Sequence, residues 1–306
     1  MSSPHSLRQR SMLLQAIRSF FFNRDYIEVD TPIRLPVLLP EAHIQPFTSD
    51  GWFLQTSPEL CMKMLLAGGC EQIFQLCHCF RKEESGCYHQ TEFTMLEWYH
   101  RGWDYTDLMS ECEDLFNILA SRVSGLNGLN VKGDIVYKGR TISLGKPWSR
   151  LSLRDAFVHF ADITADEAIA KDRFEEILVE EIEPHLGWER PVFLYDYPVQ
   201  LASLAKVKDD SPDLAERFEL YIGGLELANG FSELVDAAVQ RERFVQEMGA
   251  IRQLDRDVRM PEQFLQALER LGDTAGIALG VDRVMMLLLG KEKLTEILPI
   301  DVRIMQ

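Results

Sequence analysis

The stretch Phe80-Arg81-Lys82-Glu83-Glu84, followed by Tyr88-His89-Gln90-Thr91-Glu92-Phe93-Thr94-Met95-Leu96-Glu97-Trp98-Tyr99, gathers one arginine, one histidine and four carboxylates into twenty residues. Its order reads as strand, polar loop, strand. Charges that dense beside apolar strand residues are costly to bury unless a charged ligand or a metal completes them. A distant segment, Gly276-Ile277-Ala278-Leu279-Gly280-Val281-Asp282-Arg283, offers a second arginine on a Gly-rich strand-to-helix turn. Arginines and acids delivered from opposite ends of the chain predict a site for a polyanion and a cationic partner.

A third element, Arg217 to Leu234, places Glu219 and Glu226 on strands flanking the Gly223-Gly224 turn. Two carboxylates held beside phosphates would repel one another without Mg²⁺, which prefers carboxylate and phosphate oxygens. Glu59 opens a helix, where a carboxylate is already comfortable against the macrodipole. Neither a Gly-x4-Gly-Lys-Ser/Thr loop nor a Gly-x-Gly-x-x-Gly fingerprint occurs, so phosphate binding must come from side chains.

The elements that must hold these residues follow from periodicity. Residues 7–24 read as an amphipathic helix with Leu13, Leu14, Ile17, Phe20 and Phe21 on one side, followed by a strand at Tyr26–Val29. Ser57-Pro58-Glu59 is a helix start with Ser57 as N-cap, and Gly68-Gly69 the stop. Gln72–Phe80 and Phe93–Tyr99 are an expected antiparallel pair across the charged loop, and a helix is expected over 104–122. A hairpin is expected near Val136–Arg140, then a capping box at Thr164–Glu167. Behind the box lies an acidic helix with Glu175, Glu176, Glu180, Glu181 and Glu183, read as a solvated face. Strands return at Val192–Tyr195, Arg217–Tyr221 and Leu225–Ala228, and helices near 236–255, 262–271 and after Gly280. Strands that do not alternate regularly with helices predict a mainly antiparallel α+β fold flanked by helices, not a doubly wound sheet.

The chain has 306 residues, 46% hydrophobic and 26% charged, with a net charge of −16. This is the composition of a globular protein with a substantial core, and its acidity argues against stable tRNA binding. No apolar run approaches the ~18 residues needed to cross a bilayer. No signal peptide is evident, and a cytoplasmic location is expected. Cys77 and Cys79, one residue apart, do not have zinc-knuckle spacing and are read as packing side chains on one strand face.

The segments around Arg81 and Arg283 together resemble motifs 2 and 3 of class II aminoacyl-tRNA synthetases, in the wording of the lysine branch. The helix-strand-Pro32 pattern resembles motif 1, which in that family forms the dimer interface. The resemblance implies an ATP-dependent enzyme with Arg81 and Arg283 as catalytic residues. Arg81 would hold the α-phosphate, Glu83 the adenine amino group and Phe93 the adenine ring. His89 and Arg283 would reach the γ-phosphate, and Glu219 and Glu226 would coordinate Mg²⁺, with Glu226 also at the ATP site. Glu59, Glu97, Tyr99, Asn229, Phe231, Glu233 and Ala278 would enclose a lysine-type amino acid, whose two ammonium groups need carboxylate partners.

The motif 1-like helix begins within ten residues of Met1, which leaves no room for the ~100-residue anticodon-binding barrel of bacterial lysyl-tRNA synthetases. One catalytic domain over 1–306 is expected, with 123–190 as an insertion of unassigned role. Phrases such as Gln75-Leu76-Cys77 and Glu226–Phe231 resemble the paralogous family that attaches lysine, specifically (R)-β-lysine, to a lysine of translation elongation factor P. Ala278 stands where lysyl-tRNA synthetases usually have Gly. An extra methyl there would reshape which amino acid fits, by ~1–3 kcal/mol. Lys82, Gln90 and Thr91 depart from the family's motif 2 loop. The rival readings are an enzyme that charges tRNA and a non-catalytic regulatory paralogue. The second predicts damaged motifs, whereas Arg81, Glu219, Glu226 and Arg283 are all present.

Overall fold

The computed structural model describes residues 3–127 and 134–301. Its frame is a nine-stranded sheet. Eight strands run in the order Ile27–Glu28, Gln72–Phe80, Glu92–Arg101, Thr274–Gly280, Leu225–Ser232, Ser211–Ile222, Val192–Pro198, Ser149–Ser152, and Val207–Lys208 pairs beside Ser211–Ile222. Every interior pairing is antiparallel, and only the two outermost pairings are parallel. The expected α+β class and mainly antiparallel sheet are what is found.

Alternation along these strands separates two faces. Phe74, Leu96, Trp98, Ile277, Leu279, Phe218 and Leu220 point to one face and are buried in the main core. That face is covered by the helices Pro4–Phe22, Tyr105–Asn127 and Val281–Leu288, which contribute Phe21, Phe116 and Val284. Burying one large apolar side chain is worth about 1.5–3 kcal/mol, so this face holds the sheet. The opposite face carries the polar residues of the site. Helices Glu59–Ala67 and Glu262–Leu268 wall it through Leu60, Leu66, Phe264 and Leu268.

Local chemistry explains most element ends. Ser3 caps the first helix and Pro4 occupies its first turn. The helix at Glu59 is a correction: it starts after Pro58 with no side-chain cap, so Ser57 is not the N-cap. The hairpin Asp134–Tyr137/Arg140–Ser143 turns through Lys138 and Gly139, both at positive φ. The capping box at Thr164 forms as expected.

The acidic helix behind it does not run on. It breaks into Ala165–Ala170, Phe174–Ile177, a π turn Leu178–Ile182 and a 3₁₀ turn Glu183–His185. Phe174, Ile177, Leu178 and Ile182 pack inward against Leu194 and Tyr197. Of the segment 123–190, residues 128–133 lie outside the described part.

Candidate active site

One row of directly paired residues crosses the sheet: Gln75 opposite Glu97, Glu97 opposite Ala278, Ala278 opposite Asn229, and Asn229 opposite Glu219. Residues directly opposite share a face, so five strands deliver these side chains to one surface. One row along, Tyr99 pairs with Gly276, Gly276 with Phe231, and Phe231 with Arg217. Strand parity thus brings the expected Glu97, Tyr99, Ala278, Asn229, Phe231 and Glu219 together.

Glu226 has the wrong parity to join Asn229 on a regular strand. The ladder supplies the correction: Leu220 pairs with Ala228 while Tyr221 pairs with Glu226, leaving Leu227 as an extra, bulged residue. The bulge shifts the phase of the strand and turns Glu226 to the face of Tyr221 and Glu219. Gly223 and Gly224, both at positive φ, close the two-residue turn that follows.

The acids at one end form a pocket around an ammonium. Lys63, four residues after Glu59 on the same helix, is 2% exposed. Its Nζ meets Glu59 Oε1 and lies 2.5 Å from Glu233 Oε2. Burial pulls the Lys63 pKa down, but Glu233 and Glu59 outweigh it and hold the pKa above the ordinary lysine value. Burial and the neighbouring Glu59 push Glu97 well above the carboxylate range. Burial likewise pushes Glu233 up to about 8, although Lys63 opposes it. Tyr99 donates its hydroxyl to Glu97 Oε1 at 2.5 Å.

Among the described residues, Glu97 Oε2 and Glu233 Oε1 are buried without a hydrogen-bond partner, as are both amide atoms of Gln75. Buried acceptors left open cost about 1–3 kcal/mol each, more for charged groups. Acceptors of this kind fit a cationic ligand. Gly276 makes room for the arrangement: a Cβ there would lie 2.2 Å from Tyr99 Cε1 and 2.7 Å from Glu233 Oε1.

At the other end lie the arginines. Arg81 follows the strand Gln72–Phe80, and its guanidinium sits 5.3 Å from the Phe93 ring centre. It donates to Thr56 O at 3.4 Å and to Glu84 Oε1 at 3.1 Å. The expected Glu83 is exposed and its side chain has no ion-pair or hydrogen-bond partner among the described residues, so it is Glu84 that engages Arg81. Arg283 opens the helix Val281–Leu288. It donates to Tyr88 O at 3.1 Å and Glu226 O at 2.7 Å, and its Nη2 meets His89 Nε2 at 2.5 Å. Burial and Arg283 lower the His89 pKa, which keeps the imidazole a neutral acceptor.

Glu219 accepts from Arg217 and from the Tyr221 hydroxyl, each at 2.7 Å. Glu226 is raised by burial and then by Glu219, a repulsion that a divalent cation would relieve. Among the described residues no group of three His, Cys, Asp or Glu side chains is placed to hold a metal. A cation here would therefore draw on phosphate oxygens as well as on Glu219 and Glu226, a donor set that suits Mg²⁺.

Several site residues escaped the sequence reading. Glu183, taken for part of a solvated face, accepts from Tyr221 at 3.0 Å. Burial and then Glu226 and Glu219 raise it to about 7. Glu41 is raised to about 7 by burial and then by Glu59. Arg10 bonds Asp282 Oδ1 at 2.6 Å and Thr94 Oγ1 at 2.8 Å, while Thr94 N donates to Asp282 Oδ2 at 2.7 Å. The i,i+4 spacing of Glu59 and Lys63 was the one available signal for the buried lysine. Cys77 and Cys79 share a face, their Sγ atoms 3.9 Å apart, and all six cysteines are free.

Arg81 with the Phe93 ring at one end, and a buried acidic pocket at the other, share this sheet face. The ligase named elongation factor P–(R)-β-lysine ligase from Edwardsiella ictaluri (strain 93-146) is 39% identical over 97% of this chain and 95% of its own length. Ligases of the same name from Pectobacterium carotovorum subsp. carotovorum (strain PC1) and Salmonella arizonae are 38% and 37% identical, each over 98% of this chain and 96% of their own. The sequence model of the tRNA synthetases class II (D, K and N) matches residues 2–300. The chain belongs to the class II tRNA synthetase family of the D, K and N group.

Proposed function

We propose that the chain activates a lysine-type amino acid, (R)-β-lysine foremost, as its adenylate and transfers it to a lysine side chain of translation elongation factor P. The observation that carries this reading is the pair of buried oxygens left open among the described residues, Glu97 Oε2 and Glu233 Oε1, on a sheet face at whose other end Arg81 lies and Glu226 meets Arg283 from the helix Val281–Leu288. Two ammonium groups would satisfy such a pocket, whereas an aspartate or asparagine side chain would not. The name carried by the three relatives supplies the acceptor and the β-amino acid.

In this reading the amino-acid carboxylate attacks the α-phosphorus of ATP in line and pyrophosphate leaves. Arg81 takes up charge on the α-phosphate, and Phe93 backs the adenine. Arg283 and His89 receive the γ-phosphate, for which their present mutual contact would open. Glu83, exposed here, would accept from the adenine amino group once the loop closes over the nucleotide. Glu219 and Glu226 would hold Mg²⁺, which when bound would supply charge neutralisation at the triphosphate. Glu59, Glu97, Tyr99, Asn229, Phe231, Glu233 and Ala278 hold the amino acid. This half-reaction asks only for positioning and charge stabilisation, with no protein base.

A single catalytic domain and a homodimer through the N-terminal helix fit the same reading. Leu7, Phe22, Ile27 and Ile33 are large apolar residues left 44–55% exposed along that region. The free cysteines accord with a reducing, cytoplasmic setting. No helix among the described residues is long and apolar enough to cross a membrane.

Pyrophosphate exchange with α- and β-lysine, followed by mass spectrometry of elongation factor P, tests the proposal. Exchange and a mass increase of one lysyl unit on the factor are expected. No exchange with either amino acid would overturn the enzyme reading, and charging of bulk tRNA in place of the factor would overturn the acceptor.

A further inference from the structure

Lys63 lies where the reading above places substrate, yet the activation chemistry does not call on it. Its ammonium is buried among Glu59 from its own helix, Glu97 and Tyr99 from the strand Glu92–Arg101, and Glu233 at the end of Leu225–Ser232. Glu41 faces it from the preceding loop. The Phe231 and Phe264 rings lie 5.1 and 5.9 Å from Nζ and close the remaining sides. An ammonium this deep persists only when paired. Here it takes one oxygen of Glu59 and one of Glu233, and leaves Glu233 Oε1 and Glu97 Oε2 open.

The charge count is informative. Glu41 is offset by Arg81, which lies closer to it in effect than Lys63 does; Glu59, Glu97 and Glu233, ionised once ammonium groups enter beside them, carry three negative charges, and Lys63 cancels one. What remains matches the two ammonium groups of a lysyl adenylate, whose carboxylate has been consumed. Without Lys63 the pocket would carry one negative charge too many, and two carboxylates would lose the partner that fixes their rotamers.

We propose that Lys63 is a built-in cation that orients Glu59 and Glu233 and sets the pocket's charge to that of a diammonium ligand. It is a positioning and specificity-determining residue, acting through the two glutamates. The inference rests on the lysine reading of the pocket but not on the identity of the acceptor.

Isothermal titration calorimetry on the full chain separates the two. The probes are L-lysine, (R)-β-lysine, cadaverine, norleucine as the monocationic control, and ATP. The wild type is expected to bind a diammonium ligand at least about tenfold tighter than norleucine. Lys63→Met is expected to weaken diammonium binding about tenfold or more with ATP affinity unchanged. Lys63→Arg should recover part of the loss, keeping the charge but not the compact geometry. Diammonium affinity of Lys63→Met within twofold of wild type, or an equal loss for lysine and ATP, would overturn the proposal.

If Lys63→Met does not fold, Lys63→Arg decides: selective loss of diammonium affinity supports the proposal, and wild-type affinity defeats it. A wild type that binds no diammonium ligand defeats it too. A wild type that binds lysine without pyrophosphate exchange defeats the enzymatic reading and leaves Lys63 standing or falling on its variants.

Discussion

Arg10 donates to Asp282 at 2.6 Å, which ties the N-terminal helix to the residue beside Arg283. Asp282 also accepts the Thr94 amide, so one carboxylate locks the helix start, the central strand and the N-terminal helix together. Their side chains are 12% and 4% exposed, so the pair counts as buried. Arg10→Ala is therefore expected to destabilise the chain by about 3 kcal/mol in urea unfolding. Pyrophosphate exchange should fall about 10- to 100-fold in kcat through displaced Arg283, with the KM for lysine held. An unchanged kcat at full folding would show that the clamp does not position Arg283.

The acidic groups of the site predict how stability depends on pH. Glu233 is raised to about 8, and Glu41 and Glu183 to about 7, each first by burial. Carboxyls raised in the folded state bind more protons there than in the unfolded chain, so their stabilisation is complete below about 4.5 and lost as pH rises towards 8. Tm of the ligand-free protein should decline from pH 5 to 8. The Tm gain on adding lysine should grow over the same window, because the ligand meets carboxylates it no longer has to deprotonate. Parallel melting curves with and without lysine at five pH values check both, and a lysine-induced gain that shrinks with pH contradicts the pocket.

Gly276→Ala would put a methyl 2.2 Å from the Tyr99 ring and 2.7 Å from Glu233 Oε1. Tyr99 is buried and cannot swing out, so the ring and its bond to Glu97 must shift. The expected cost is about 1–3 kcal/mol in stability. Lysine binding should weaken while ATP binding, at the other end of the sheet face, is kept. Titration of the two ligands separately distinguishes this from general loosening.

Glu84 occupies the guanidinium that the proposed chemistry needs for ATP. Arg81→Ala is expected to lower kcat of exchange by about 10²–10³-fold. Glu84→Ala should act the opposite way, lowering the KM for ATP by about two- to fivefold as a part-exposed competing ion pair is removed. A raised KM for ATP in Glu84→Ala would mean that Glu84 supports nucleotide binding.

The strands that carry the pocket were readable in the sequence because alternation is a strong signal. Phe93, Met95, Glu97 and Tyr99 have one parity, and their pairing partners Ala278 and Gly276 follow from the same rule. What pattern could not supply was contact across long sequence separation. Arg10 reads as one more helix charge until Asp282, 272 residues away, is seen beside it. Lys63 reads as half of an i,i+4 pair with Glu59 on a mostly apolar helix, because its second partner, Glu233, comes from the end of the strand Leu225–Ser232. Glu183 was misjudged for a different reason: its neighbours share its sign and are solvated, and only a π turn and a 3₁₀ turn rotate it toward Tyr221. The loop residue Glu84 was passed over for Glu83, since charge order alone does not say which of two adjacent acids folds back onto Arg81.

The bulged Leu227 has a consequence for how this strand tolerates change. Smoothing the bulge, with Leu227 paired to Tyr221, would regularise the ladder beyond Leu220–Ala228, and a backbone judged by its hydrogen bonds alone would look improved. The same smoothing would slide Glu226 opposite Ile222, onto the face away from Glu219, and draw its carboxylate away from Arg283. Geometric ideality and chemical competence are therefore opposed at this position, and the irregular strand is the working one.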